Sequence, residues 1–235
     1  MSLPGNYANL FADCKLFHGL REPALNAVLQ AGIRLQIAPD EHFYHQGDPA
    51  TAFYVLLEGR AKMAKVTVDG HQVLARFLEP GECYGIVAAQ EKATYPFSVQ
   101  AVGVCTAVAW NSETLRDLLH RYPGIALNAL QVMTEQCQKW QRRYEEMVTA
   151  CVEQRVAGTV VRLARQAGKR VQSGVLIDLP LSREDLAEMT GTTLYTVSRI
   201  LSRWKDDGLV ELGRERVVIR DGHGLVTIAE AFRKK

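Results

Sequence analysis

The apolar positions of this 235-residue chain change their spacing as the sequence advances. From about Ile33 to Trp110 they gather in short runs at residues 34–37, 42–45, 53–57, 61–66, 73–78 and 97–101. Gly47, Gly59, Gly70 and Gly81 separate the runs at gaps of 12, 11 and 11. Evenly spaced strands with glycine at the turns predict an antiparallel β-roll of meander or jelly-roll type, which can enclose a small ligand. An apolar roll with no ligand fits the same pattern.

Beyond residue 111 the spacing becomes helical. Residues 112–122 predict a short helix capped by Ser112 and stopped by Pro123, which suits the first turn of another helix. In that next helix Ala126, Leu130, Met133, Cys137, Trp140, Tyr144, Met147 and Cys151 alternate at steps of four and three, with polar residues between them. A seam this narrow is what two parallel helices bury against each other, whereas a helix laid on its own roll wants a broader apolar face. Self-association along Leu130, Met133, Cys137, Trp140, Tyr144 and Met147 is therefore expected. Past Ala150, Val152, Val156, Val160 and Leu163 start a new helix that ends near Gly168, with a hinge within residues 149–153. Residues 165–174 read as a basic loop and 175–179 as a strand.

The last third combines helix and strand signals. Ser182, with Asp185 three residues on, predicts a reciprocal cap for a helix whose apolar side is Leu186, Ala187 and Met189. Ala187 is small where two helices cross, and Gly191 stands where the backbone must turn. Thr192 or Thr193 caps a second helix. There Val197, Ile200, Leu201 and Trp204 form one stripe, and Leu194, Tyr195, Ser198, Arg199 and Ser202 form the other. The second stripe carries a bidentate donor, hydroxyls and an aromatic ring, groups that read base edges and phosphates in a major groove. Ordinary amphipathic helices share each feature singly, but not these fixed offsets together. Apolar runs at 208–212 and 217–219 around Gly213 predict a hairpin, hence a winged helix with Arg214 and Arg216 near the wing tip.

Composition adds bounds. With 47% hydrophobic and 23% charged residues, the chain suits one large or two ordinary soluble domains. Residues 1–6 lack an export signal, and no apolar run approaches the roughly 20 residues of a membrane span, so a cytoplasmic protein with no membrane partner is expected. Cys14, Cys83, Cys105, Cys137 and Cys151 include no C-x-x-C pair, which argues for reduced thiols rather than a zinc knuckle or disulfide framework. From Val152 onward 15 Lys+Arg face 11 Asp+Glu, against 13 and 15 before it. The basic end is the helix-turn-helix end, in keeping with nucleic-acid contact.

The order of roll, long helix and winged helix resembles the cyclic-AMP receptor protein / fumarate-and-nitrate-reduction regulator (CRP/FNR) family of bacterial transcription factors over nearly the whole chain. Its most specific motifs are Gly47-Asp48-Pro49-Ala50, Phe53 to Gly59, Pro80-Gly81-Glu82 before Tyr84-Gly85, Leu181 to Ala187, and Gly191 with Thr196-Val197-Ser198-Arg199. The resemblance implies an α+β chain: an N-terminal antiparallel β-roll like a cyclic-nucleotide-binding domain (1–122), a dimerisation helix (123–150) and a C-terminal winged helix-turn-helix (151–235). It also implies a homodimeric regulator that binds a palindromic operator in double-stranded DNA, engages RNA polymerase as activators do, and answers a small molecule or gas.

By position, Arg199 resembles the arginine that grips a guanine, and Ser198 its neighbour in the oxygen-responsive branch. Ser182, Arg183, Thr193 and Thr196 resemble phosphate contacts. Where the family usually has a glutamate, this chain has Tyr195, so the half-site should keep a guanine yet depart from the well-known consensus sequences.

The sensor end departs further. Cyclic-nucleotide members follow the glycine at Gly85 with a glutamate for the ribose, and about eleven residues after that glycine place an arginine for the phosphate. Here Ile86 and Tyr95-Pro96-Phe97 stand in those places, with Lys92 the nearby cation. A buried phosphate without a cation is heavily penalised, so cyclic AMP is not expected. An effector pocket is expected among Gly85, Ile86, Val87, Lys92, Tyr95 and Phe97. An iron-sulfur cluster needs N-terminal cysteines, of which only Cys14 is present. Haem stays open through His18, His42, His45, His71 and Cys83, although His42 and His45, three apart, should lie on opposite pleat faces. Two alternatives remain: a constitutive DNA binder with a vestigial sensor, and a metal-dependent β-roll enzyme, for which the sequence supplies neither catalytic residues nor a metal-ligand set.

Overall fold

The computed structural model describes residues 8–231, so the chain start at residues 1–6 lies outside the described residues. Helices α1 (Ala8–Asp13) and α2 (Glu22–Gln30), separated by a 3-10 turn at Lys15–Phe17, precede eight strands. These are β1 (Ile33–Ile37), β2 (His42–Tyr44), β3 (Ala52–Glu58), β4 (Ala61–Val66), β5 (Gln72–Leu78), β6 (Cys83–Tyr84), β7 (Ser98–Ala101) and β8 (Cys105–Asn111). They form two antiparallel sheets, ordered β1-β8-β3-β6 and β2-β7-β4-β5. The six runs read from the sequence are all strands, while β6, β8 and both leading helices were not read.

β3 is buried on both faces because its residues alternate between two cores. Phe53, Val55 and Leu57 point into a helix-covered core with Phe11, Phe17, Val28, Trp110, Leu115 and Ile125. Tyr54 and Leu56 point into a second core with Tyr44, Leu78, Tyr84, Tyr95 and Val99. The indole of Trp110 donates to the Val28 carbonyl at 2.8 Å, fixing α2 on the first core.

Helix α3 (Ser112–Arg121) begins one residue earlier in capping than expected. Asn111, not Ser112, accepts from the Thr114 amide at 2.8 Å, because the Ser112 hydroxyl donates instead to the Ala50 carbonyl at 3.0 Å. Pro123 opens α4 (Pro123–Thr149), along which only Ile125 is buried.

The chain divides into two compact units between Gln138 and Lys139, inside α4. The second unit holds α5 (Val152–Ala167), β9 (Gly168–Val171), β10 (Gly174–Ile177), α6 (Arg183–Thr190), α7 (Leu194–Asp206), β11 (Val210–Gly213), β12 (Arg216–Ile219) and α8 (Gly222–Glu230). Its strands form one sheet, β11-β12-β10-β9. The segment expected as a basic loop is instead the last turn of α5 and a hairpin, β9 pairing with β10 while Lys169 bridges to Asp178 at 2.7 Å. Among the described residues no helix is long and apolar enough to cross a membrane.

Candidate nucleic-acid interface

The helix-turn-helix is assembled by local hydrogen bonds. At the start of α6 the Ser182 hydroxyl accepts from the Asp185 amide at 2.9 Å, and the Ser182 amide donates to the Asp185 carboxylate at 2.8 Å. Gly191 ends α6 in a left-handed conformation, φ 59°, and a side chain added there would meet the Met147 methyl at 2.8 Å. Thr193 caps α7, its hydroxyl accepting from the Thr196 amide at 3.2 Å.

Once α7 is set, its apolar stripe decides what faces water. Val197, Ile200, Leu201 and Trp204 are buried, which leaves Leu194, Tyr195, Arg199 and Ser202 exposed and Thr196 and Ser198 half-buried. Tyr195 is 75% exposed, presenting both its apolar ring and its phenol outward. Arg183, in the first turn of α6, donates to the Ser198 hydroxyl at 3.3 Å, so these two polar groups already converge. Arg199 makes no hydrogen bond or ion pair among the described residues, leaving its donor fork unengaged. At the wing, Gly213 pairs with Arg216 and the turn is Arg214-Glu215, Glu215 taking φ 50°. Ser182, Arg183, Leu194, Arg214 and Arg216 all line a cleft of about 360 Å³ between α6, α7 and the wing.

Around α5 lies a set of contacts that the sequence did not reveal. Arg155 of α5 donates from Nε to the Thr190 carbonyl at 3.0 Å and from Nη1 to the Ala150 carbonyl at 3.1 Å. Glu153 accepts from the Trp204 indole at 2.9 Å and pairs with Arg203. Glu146, near the end of α4, pairs with Arg162 at 2.6 Å.

The six residues expected to form an effector pocket do not share one environment, although Gly85, Val87 and Tyr95 meet at the inter-sheet core. Gly85 adopts φ 79° and opens a 3-10 turn, Ile86–Ala89, that sends successive side chains to different cores. Val87 packs on the inter-sheet core but Ile86 packs on the helix-covered one, Lys92 is exposed, and Phe97 is half-buried outside the inter-sheet cluster. Tyr95, in contrast, is 2% exposed, stacks on Tyr44 with ring centroids 3.6 Å apart, and donates to the Ala52 carbonyl at 2.6 Å. Tyr54 stacks on Tyr84 at 5.3 Å, and Phe43 meets Tyr84 edge-on at 5.3 Å. Burial pushes the Tyr44, Tyr54 and Tyr84 phenols well above the ordinary tyrosine range, so those three stay neutral. The Tyr84 hydroxyl is buried with no hydrogen-bond partner among the described residues.

His42 and His45 do not take opposite faces. The β2 register is irregular and the strand ends at Tyr44, so the two rings stack at 4.2 Å. His18, His45 and His71 are exposed, His42 is half-buried, and neither roll core contains a histidine. An apolar haem pocket with a buried axial imidazole is thus not what these residues build. Among the described residues no three His, Cys, Asp or Glu side chains group as metal ligands.

Along α4, Leu130, Met133, Trp140, Tyr144 and Met147 are between 42% and 71% exposed and Cys137 is exposed as well, as is Cys151 at the start of α5. The guanidinium of Arg143 lies over the Trp140 ring at 5.3 Å.

Comparison with known proteins agrees with this architecture. The cyclic nucleotide-binding domain model matches residues 34–122 and the Crp-like helix-turn-helix domain model residues 154–228. The cyclic AMP receptor protein of Thermus thermophilus is 26% identical over 214 residues, 91% of this chain and 96% of that protein. A CRP-like cAMP-activated global transcriptional regulator of Mycobacterium tuberculosis is 22% identical over 217 residues, 92% of this chain and 96% of its own length. The solved structure of the c-di-GMP responsive global regulator CLP of Xanthomonas campestris shares the fold with a TM-score of 0.75 at 19% identity, covering 86% of this chain and 100% of that one.

Proposed function

This chain belongs to the cyclic-AMP receptor protein / fumarate-and-nitrate-reduction regulator family of DNA-binding transcription regulators, and we propose that it acts as a homodimer on an inverted-repeat operator. The observation that carries this reading is the outward stripe of α7, where Tyr195 and an unengaged Arg199 stand ready beside Arg183 and Ser198. Each copy lays α7 in a major groove with Arg199 on a guanine, while Ser182, Arg183, Thr193 and Thr196 hold phosphates and Arg214 and Arg216 flank them. The exposed seam of α4 supports pairing of two copies, which sets the half-sites about 34 Å apart, one helical turn. Contact with RNA polymerase follows from family membership.

The signal is a small molecule or gas other than cyclic AMP. Tyr95, buried and stacked on Tyr44, stands with Pro96 and Phe97 at the sequence position where cyclic-AMP-binding members carry the phosphate-holding arginine, and Ile86 stands at that of the ribose-binding acid. Any effector acts only by binding one arrangement of the chain better than another. The same aromatic filling favours a second reading, DNA binding with no effector at all.

Operator selection with the full-length protein, followed by sedimentation of the free and bound forms, tests the proposal. An inverted repeat with guanine in each half and a two-copy species are expected. A single unrepeated site, or a lone protomer at micromolar concentration, overturns it. Millimolar cyclic AMP should leave both affinity and thermal midpoint unchanged.

A further inference from the structure

On the outward stripe of α7 the hydroxyls, the phenol and the guanidinium can all hydrogen-bond to DNA, and Leu194 cannot. Its side chain is nevertheless 51% exposed, and so is most of Tyr195 beside it. Among the described residues from Val152 onward these two are the only large hydrophobic side chains that stand exposed. Every other one, from Val152 in α5 to Ile228 in α8, is at least partly covered. A scattered surface leucine is ordinary, but this pair takes the first two positions of the reading helix.

We propose that Leu194 reads the C5 methyl group of a thymine and so fixes a second base of the half-site, an inference that rests on the DNA-binding reading above. Leu194 follows the capping Thr193 directly, and the first turn of a reading helix is the part that meets base edges in the major groove. It lines the same cleft as Ser182 and Arg183, the groups assigned to phosphates, so a duplex held by those two lies against it. With neither donor nor acceptor, a leucine gains only by covering apolar surface. Among the base edges of the major groove, the thymine methyl is the apolar group on offer. Any other base at that place sets Leu194 against a polar edge.

Spacing along α7 says which thymine. Leu194 precedes Arg199 by five residues, about 7.5 Å along a helix that rises about 1.5 Å per residue. Successive base pairs are about 3.4 Å apart, so the thymine lies about two steps from the guanine that Arg199 holds.

The probe is the operator recovered by selection, with each thymine of a half-site replaced in turn by deoxyuridine, which removes the methyl group and keeps every hydrogen-bonding group. Binding of the full-length protein is read by gel shift at fixed salt. At one position in each half the swap should weaken wild type about fourfold, and about fifteenfold when made in both halves, as expected for one covered methyl group at each site. In Leu194→Ala the thymine and uracil operators should bind alike while the preference for guanine persists, which shows that the helix still docks. A variant that binds both operators more weakly but keeps their wild-type ratio overturns the proposal. So does a wild type indifferent to every swap with its guanine preference intact, the result that contact with a deoxyribose edge would give; the DNA-binding reading then stands. A methyl effect that survives Leu194→Ala and vanishes in Tyr195→Ala also overturns it, in favour of the neighbouring ring. Failure to recover any operator removes the DNA-binding reading, and this inference with it.

Discussion

Arg155 caps Thr190: its Nε donates to the last carbonyl of α6 at 3.0 Å, while Nη1 of the same guanidinium reaches the Ala150 carbonyl beyond α4. Helix ends leave carbonyls without internal partners, and one planar cation here serves two of them. Replacing it by methionine keeps the stem and removes both bonds. Charged hydrogen bonds contribute about 1.5–3 kcal/mol. Arg155→Met should lower unfolding stability by about that amount in urea titration, with operator affinity falling more steeply than for an exposed control such as Arg121→Met. An unchanged midpoint would refute the capping role.

At the reading face, Arg199→Ala should weaken specific binding by about 1–3 kcal/mol per half-site and erase the preference for guanine. Arg183→Ala should weaken binding to all sequences alike and flatten the salt dependence, as loss of a phosphate contact does. Tyr195→Glu should add a preference for cytosine, whose amino group a carboxylate accepts. Gel shifts on a panel of half-site variants at two salt concentrations separate the three.

The seam is checked by charge. Met133 and Trp140 are exposed in the single chain, so Met133→Lys with Trp140→Glu should leave its circular dichroism unchanged. If each side chain is buried by a second copy, the double variant loses about 3–6 kcal/mol of association from each copy, a dissociation constant more than about a hundredfold weaker. Sedimentation equilibrium reads this directly; an unaltered dimer would show that another surface pairs.

The stacked histidines give a pH dependence of definite sign. Desolvation, and then the charge of His45, lower the pKa of His42 below its ordinary 6.5. Between that folded value and 6.5 the unfolded chain binds more protons, so stability is full above 6.5 and is lost as pH falls through the window. Proton NMR should place the His42 midpoint below 6.5 and move it upward in His45→Ala. A midpoint at or above 6.5 in the wild type would contradict the stacking.

What could be read from the sequence was what is encoded locally. Ser182 with Asp185, Gly191, Thr193 and the 197/200/201/204 stripe are signals within a few residues of each other, and each appears in the fold where its spacing put it. β8 escaped because Ala107 and Ala109 are small residues in a strand with neighbours on both sides, so no alternation of polar and apolar marks it. β9 escaped because Lys169 and Arg170 are exposed and read as loop. The aromatic cluster was illegible for a different reason. Tyr44, Tyr54, Tyr84 and Tyr95 come from four separated places, and only the sheet topology brings them together. The same holds for Arg155, whose partners, Ala150 and Thr190, lie on opposite sides of it in the chain.

The turn between α6 and α7 is constrained by its backbone more than by its surroundings. Its left-handed conformation admits glycine and, at modest cost, an asparagine. The Met147 methyl lies where a first side-chain carbon would go, but it is the far end of a flexible, exposed side chain and can swing aside. Position 191 is therefore limited by handedness rather than by space: Gly191→Asn should fold with a small loss of stability, and adding Met147→Ala should recover little of it.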